Sequence, residues 1–121
     1  MSDDTPRTDE QRRIVEMWGE GFARLAGHAR IEFGDGDIRV ALWRPIKVGG
    51  ESTEELRIVE PTIDQLQQLD RVQGEMGKVR RLLMQAAGLT EKEAGTIGLR
   101  DMGLFGMIME AFSETARATG A

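Results

Sequence analysis

Cysteine is absent from this 121-residue chain, which excludes disulfide staples, thiolate ligands and cysteine nucleophiles together. Histidine occurs once, as His28, with no neighbouring histidine or cysteine to share a metal ion or a catalytic proton, so it reads as a structural residue. No apolar run approaches the ~18 residues that a bilayer crossing requires. The opening stretch "MSDDTPRTDEQ" has no basic segment followed by an apolar one, so the sequence predicts a soluble, non-exported protein with no membrane partner. Excess positive charge is missing too. The net charge is −5, against the basic stripe that nucleic-acid binding calls for. Lys78, Arg80 and Arg81 form the one dense basic cluster and read as a solvated helix face.

Glycine, by contrast, is abundant. Fifteen residues of 121 exceed the roughly 7% of an average globular chain, which predicts helices that are weak alone. Hydrophobic residues make up 40% and aromatics 5%, enough for one domain with a modest core. A protein of this composition is expected to complete itself on a partner or by self-association.

The chain divides by pattern. Residues 1–7 are polar and predict a disordered tail. Residues 8–37 form an N-terminal helical extension and turn. Thr8 and Gln11 have capping-box spacing. Ile14, Trp18, Phe22, Leu25 and Ala29 follow on one helical face, with Gly19 and Gly21 each weakening it by about 1 kcal/mol. "GDGD" at 34–37 reads as a turn between strands at 30–33 and 38–44. A calcium loop would need more oxygen ligands at fixed offsets and a distant glutamate. Whether the extension shares the core of the remaining chain is not written in its pattern.

Residues 38–119 form the main unit, with a hairpin over 38–60 and helices over 62–119. Ile38, Val40 and Leu42 alternate with Arg39, Ala41 and Trp43, and Leu56 and Ile58 repeat that period. Pairing Leu42 with Leu56 and Val40 with Ile58 predicts an odd-length loop centred on Gly49. Pro45 cannot donate to a ladder and marks an unpaired position. Thr62 with Gln65 and Thr90 with Glu93 repeat the capping box. Between them a stripe runs from Ile63 through Leu66, Leu69, Val72, Met76, Val79 and Leu83 to Ala86, with Gly74 and Gly77 marking a bend or a division. The last helix is predicted from near Asp101, and "ETARATGA" reads as fraying. The expected fold is α+β: a small antiparallel β-hairpin followed by a mainly helical C-terminal half, with an extra N-terminal helix.

Chemistry-bearing constellations are hard to find. Ser52 and Ser113 lack the glycine elbow of a serine nucleophile. "VGGES" lacks the Gly-Lys-Ser/Thr of a phosphate loop. Glu54 and Glu55 read as solvated turn residues. The sequence predicts no catalytic, cofactor-binding or metal-binding residue and no cofactor. Methionine concentrates in the C-terminal half, at Met76, Met84, Met102, Met107 and Met109, where helical spacing reads first as ordinary core packing and, as the alternative, as an adaptable surface that receives another apolar segment.

In order, these residues resemble the tail assembly chaperones of Mu-like and related tailed bacteriophages. The first block is "VALWRPIKVGGESTEELRIVEPTIDQL", with Pro45, Ile46, Val48, Gly49, Leu56, Ile58, Glu60 and Pro61 at matching positions. The second is "AAGLTEKEAGTIGLRDMGLF", with Gly88, Leu89, Thr90, Glu91, Leu99, Asp101 and Met102. The likeness covers about residues 38–112, and the family usually lacks or abbreviates the extension before it. It implies a non-enzymatic protein of the host bacterial cytoplasm. Such a protein binds the tape measure protein, helps tail-tube protein polymerise around it, and is absent from the mature virion. A longer frameshifted form is common in relatives. The competing reading is a small head–tail connector or minor tail component that stays in the particle. The partner surface is expected on the last helix, at Met102, Leu104, Phe105, Ile108, Met109 and Phe112, with Gly103 and Gly106 permitting close approach.

Overall fold

The computed structural model describes residues 7–118. The expected disorder of the N-terminal tail concerns residues 1–6, which lie outside them. Arg7, counted with that tail, pairs with Glu20 at 2.6 Å.

The first helix, α1, spans Asp9–Trp18, and Thr8 and Gln11 cap it reciprocally. It does not continue to residue 29. Gly19 takes φ +112°, a conformation that favours glycine, and ends the helix. The chain then tightens into a 3₁₀ helix over Glu20–Leu25. The break turns Phe22 and Leu25 into the core and leaves Ala29 exposed. At His28 the ring Nδ1 accepts the Arg30 N–H at 3.1 Å, closing the turn into the sheet.

Three antiparallel strands follow, β1 (Ile31–Phe33), β2 (Asp37–Val48) and β3 (Glu51–Val59), in that spatial order. The fold is mixed helix and sheet. The predicted register is corrected by two residues: Val40 faces Leu56 and Ile38 faces Ile58. The loop is the even pair Gly49-Gly50, both at positive φ as a two-residue hairpin turn requires. The two halves of the ladder are out of step, and the difference is taken up between Ala41 and Ile46. There residues 42–45 of β2 stand against Glu54 alone on β3. Pro45, which has no N–H to offer, sits in this bulge.

Four helices complete the described residues: α2 (Ile63–Asp70), α3 (Glu75–Ala86), α4 (Glu91–Ala94) and α5 (Leu99–Ala118). Thr62 with Gln65 and Thr90 with Glu93 form the expected boxes. The long stripe is divided at Gly74, and the change of helical phase leaves Ile63 and Met76 exposed. The last helix is longer than predicted at both ends. It starts at Leu99 and carries Glu114–Ala118 in regular helix, while residues 119–121 lie outside the described residues.

One hydrophobic cluster runs through all of this, including the N-terminal extension. Phe22 lies 4.9 Å from Phe112 and 5.9 Å from Phe33, and Trp18 lies 6.2 Å from Phe112, in edge-to-face pairs, while Trp18 and Phe22 are tilted at 5.9 Å. Four aromatic rings thus tie α1, the 3₁₀ helix, β1 and α5 together. At Gly21 a Cβ would meet the Ala111 carbonyl oxygen at 2.2 Å, and the Gly21 N–H donates to Thr115 Oγ1 at 3.0 Å. Glycine is what lets the 3₁₀ helix approach α5 this closely.

Candidate interaction surface

The stripe expected to meet a partner is turned inward. Leu104, Phe105, Ile108, Met109 and Phe112 are buried within the chain, and Met102 is half-buried against the same core. Their cover is the N-terminal extension and α3. Uncovering each such side chain costs about 1.5–3 kcal/mol, so a partner reaches this stripe only by opening the domain. Its helical spacing was legible, but spacing does not distinguish a core face from a docking face.

The opposite side of α5 is open. Leu99 is 76% exposed and Met107 38%, and Met76, from the first turn of α3, is 65% exposed. Gly103 and Gly106 lie on α5 between them. A Cβ at Gly103 would meet nothing, and one at Gly106 would only touch the Glu75 carboxylate at 3.6 Å. A groove of about 410 Å³ runs here, past Leu25, His28, Gly103, Gly106 and Met107, with Arg24, Glu75 and Glu110 also in its lining. A smaller depression beside it contains Met76, Val79, Leu99 and Met102. Of the C-terminal methionines, Met76 and Met107 are exposed, Met109 is buried, and Met84 and Met102 are half-buried. Only packing shows which methionines remain accessible.

At the N-terminus of α5 this apolar strip meets the bulge of β2 through Leu99. Asp101 is fully buried there, and its two carboxylate oxygens accept the backbone N–H groups of Trp43 at 2.9 Å and Arg44 at 3.0 Å. It supplies the acceptors that a regular strand partner would have offered. Its position in the first turn of α5 also places the negative charge at the positive end of the helix. On the other side, Arg30 Nη1 donates to the carbonyls of Ala41 at 3.3 Å and Leu42 at 3.1 Å.

The hairpin tip is anchored by a second carboxylate. Glu93 Oε1 accepts the Thr90 N–H at 2.9 Å, and Oε2 accepts the Gly49 N–H at 2.8 Å. Hydrogen bonds from those two backbone amides, Thr90 first and then Gly49, hold the Glu93 carboxyl below the usual carboxylate range. Sequence reading assigned Glu93 to its capping box and missed the bond to Gly49, for which no local signal exists.

Of the "GDGD" carboxylates, Asp35 lies in the bend and Asp37 opens β2. Asp37 pairs with Arg57, and its carbonyl accepts the Gly34 N–H at 2.8 Å. Among the described residues no three histidine, aspartate or glutamate side chains are grouped to hold a metal ion, and no helix is long and apolar enough to cross a membrane. No protein-family model, no curated protein and no solved structure matches the chain.

Proposed function

We propose that the chain is a non-enzymatic tail assembly chaperone of a tailed phage or phage-like particle. It binds the tape measure protein in the host cytoplasm and holds it while tail-tube subunits polymerise around it. The observation that carries this proposal joins the two blocks of the resemblance. Asp101, from the second block, bonds the backbone immediately before Pro45 and Ile46 of the first, across 57 and 58 positions of sequence. Residues resembling the family in order along the chain are therefore also coupled in space.

The open side of α5, with Met76 beside it, is the surface we assign to the tape measure. An amphipathic helix fits a groove whose methionine, leucine and glycine floor is flanked by Arg24, Glu75 and Glu110, and the flexible thioethers adapt to successive segments of a long partner. Weak, replaceable contacts suit a partner that must be released as the tube grows.

Co-purification of the tape measure protein with the tagged chain tests this directly. Leu99→Asp and Met107→Asp alter exposed side chains, so both variants should fold normally, by circular dichroism, yet lose the tape measure. Retention by both variants would refute the surface. Failure of the wild-type chain to retain it, with recovery of the chain at stoichiometric copy number from purified particles, would instead establish the connector or minor tail component.

A further inference from the structure

The bulge of β2 re-aims side chains. A regular strand sends successive residues to opposite faces, whereas Trp43, Arg44 and Pro45 are all exposed in a row. The fold maintains this presentation by burying a charged residue, Asp101, under the same backbone.

What is presented is strongly cationic. The Arg30 and Arg100 guanidinium groups lie 4.6 and 4.4 Å from the centre of the Trp43 ring. Arg44 borders both the Trp43 depression and a cleft of about 540 Å³ between the hairpin tip and α4, where Lys47 and Lys92 also lie. None of these five cations pairs with a carboxylate among the described residues. The two carboxylates that line the same hollows are Asp101 and Glu93, and every oxygen of both already accepts a backbone N–H. In a chain of net charge −5, the acids at this corner are turned to backbone N–H groups, and Arg44, Lys47, Lys92 and Arg100 have no carboxylate partner among the described residues.

We propose that this corner is a docking site for an acidic segment of a partner protein. Its carboxylates reach Arg44, Lys47 and Lys92, and an apolar side chain rests on Trp43. Arginine and tryptophan at the centre of a patch are the residues that dominate protein interfaces. A continuous phosphate backbone is disfavoured, because the neighbouring strand carries Glu51, Glu54 and Glu55, all exposed. The site adjoins the apolar face of α5 at Leu99, but its cations lie beyond that residue, and it stands whether or not the partner is a tape measure protein.

Fluorescence anisotropy provides the test, with a fluorescein-labelled peptide of alternating glutamate and alanine around a central leucine as probe. The full chain should bind it at low ionic strength, and added salt should weaken binding. The same peptide with glutamine for glutamate should not bind. Arg44→Glu with Lys92→Glu, and separately Trp43→Ala, should each raise the Kd at least about tenfold. Lys47→Glu with Lys92→Glu leaves the bulge untouched and repeats the measurement if the Arg44 variant misfolds. Absence of binding by the wild-type chain, or unchanged affinity in folded variants, would overturn the proposal. So would tighter binding of a single-stranded DNA of matched charge, or a salt-sensitive dimer of this chain that the charge reversals abolish.

Discussion

Replacing Asp101 by asparagine keeps the shape of the side chain and inverts half of its hydrogen bonding. In the native chain both oxygens accept backbone N–H groups at the β2 bulge, at 2.9 and 3.0 Å. In the variant the amide oxygen accepts one of them and the NH₂ group confronts the other, donor against donor. Hydrogen bonds to a charged acceptor contribute about 1.5–3 kcal/mol each. One is lost, and the other falls to neutral strength, roughly half. Two effects oppose this: an amide is less costly to bury than a carboxylate, and Trp43 and Arg44 are partly open to water. The net loss is about 2–3 kcal/mol, a large share of the ~5–15 kcal/mol that holds a domain together. For a chain of this size that lowers Tm by roughly 6–12 °C. Chemical denaturation followed by circular dichroism measures the loss, and amide hydrogen exchange at Trp43 and Arg44 locates it. A loss below ~0.5 kcal/mol, with both amides still protected, would show that the carboxylate does not hold the bulge.

Gly21→Ala places a Cβ 2.2 Å from the Ala111 carbonyl oxygen and should destabilise by more than ~2 kcal/mol, whereas Gly103→Ala, with open space around it, should stabilise by about 0.5–1 kcal/mol. Equal effects in urea denaturation would refute the close packing of the 3₁₀ helix on α5. Phe22→Ala, at the centre of the aromatic cluster, should cost about 3–5 kcal/mol and weaken the α1 and α5 ends together in hydrogen exchange; separate unfolding of the N-terminal extension would contradict a shared core. The Glu93 carboxyl is held below its ordinary range in the folded state, so its contribution is complete above the unfolded-state value and disappears as pH falls through the folded one. The stability difference between the native chain and Glu93→Gln should therefore shrink on acidification below the carboxylate range, and a difference independent of pH would refute the anchoring of Gly49.

Whatever closes within a turn of chain was legible from local residues alone. Thr8–Gln11, Thr62–Gln65 and Thr90–Glu93 all form reciprocal caps, because donor and acceptor lie three residues apart and nothing distant competes for them. The alternation of Ile38 and Val40, and of Leu56 and Ile58, likewise specified half-buried strands in a mixed α+β chain. Tertiary structure decided the rest. Alternation is satisfied equally by registers two residues apart, so the observed pairing depends on the bulge, and the bulge depends on Asp101 from another element. The stripe on α5 was legible as apolar, yet whether it met a partner or the core was settled by Trp18 and Phe22, some ninety positions away, packing against Phe112. Helical period marks an apolar face but carries no information about what covers it. That is fixed only when distant segments compete for the same buried surface.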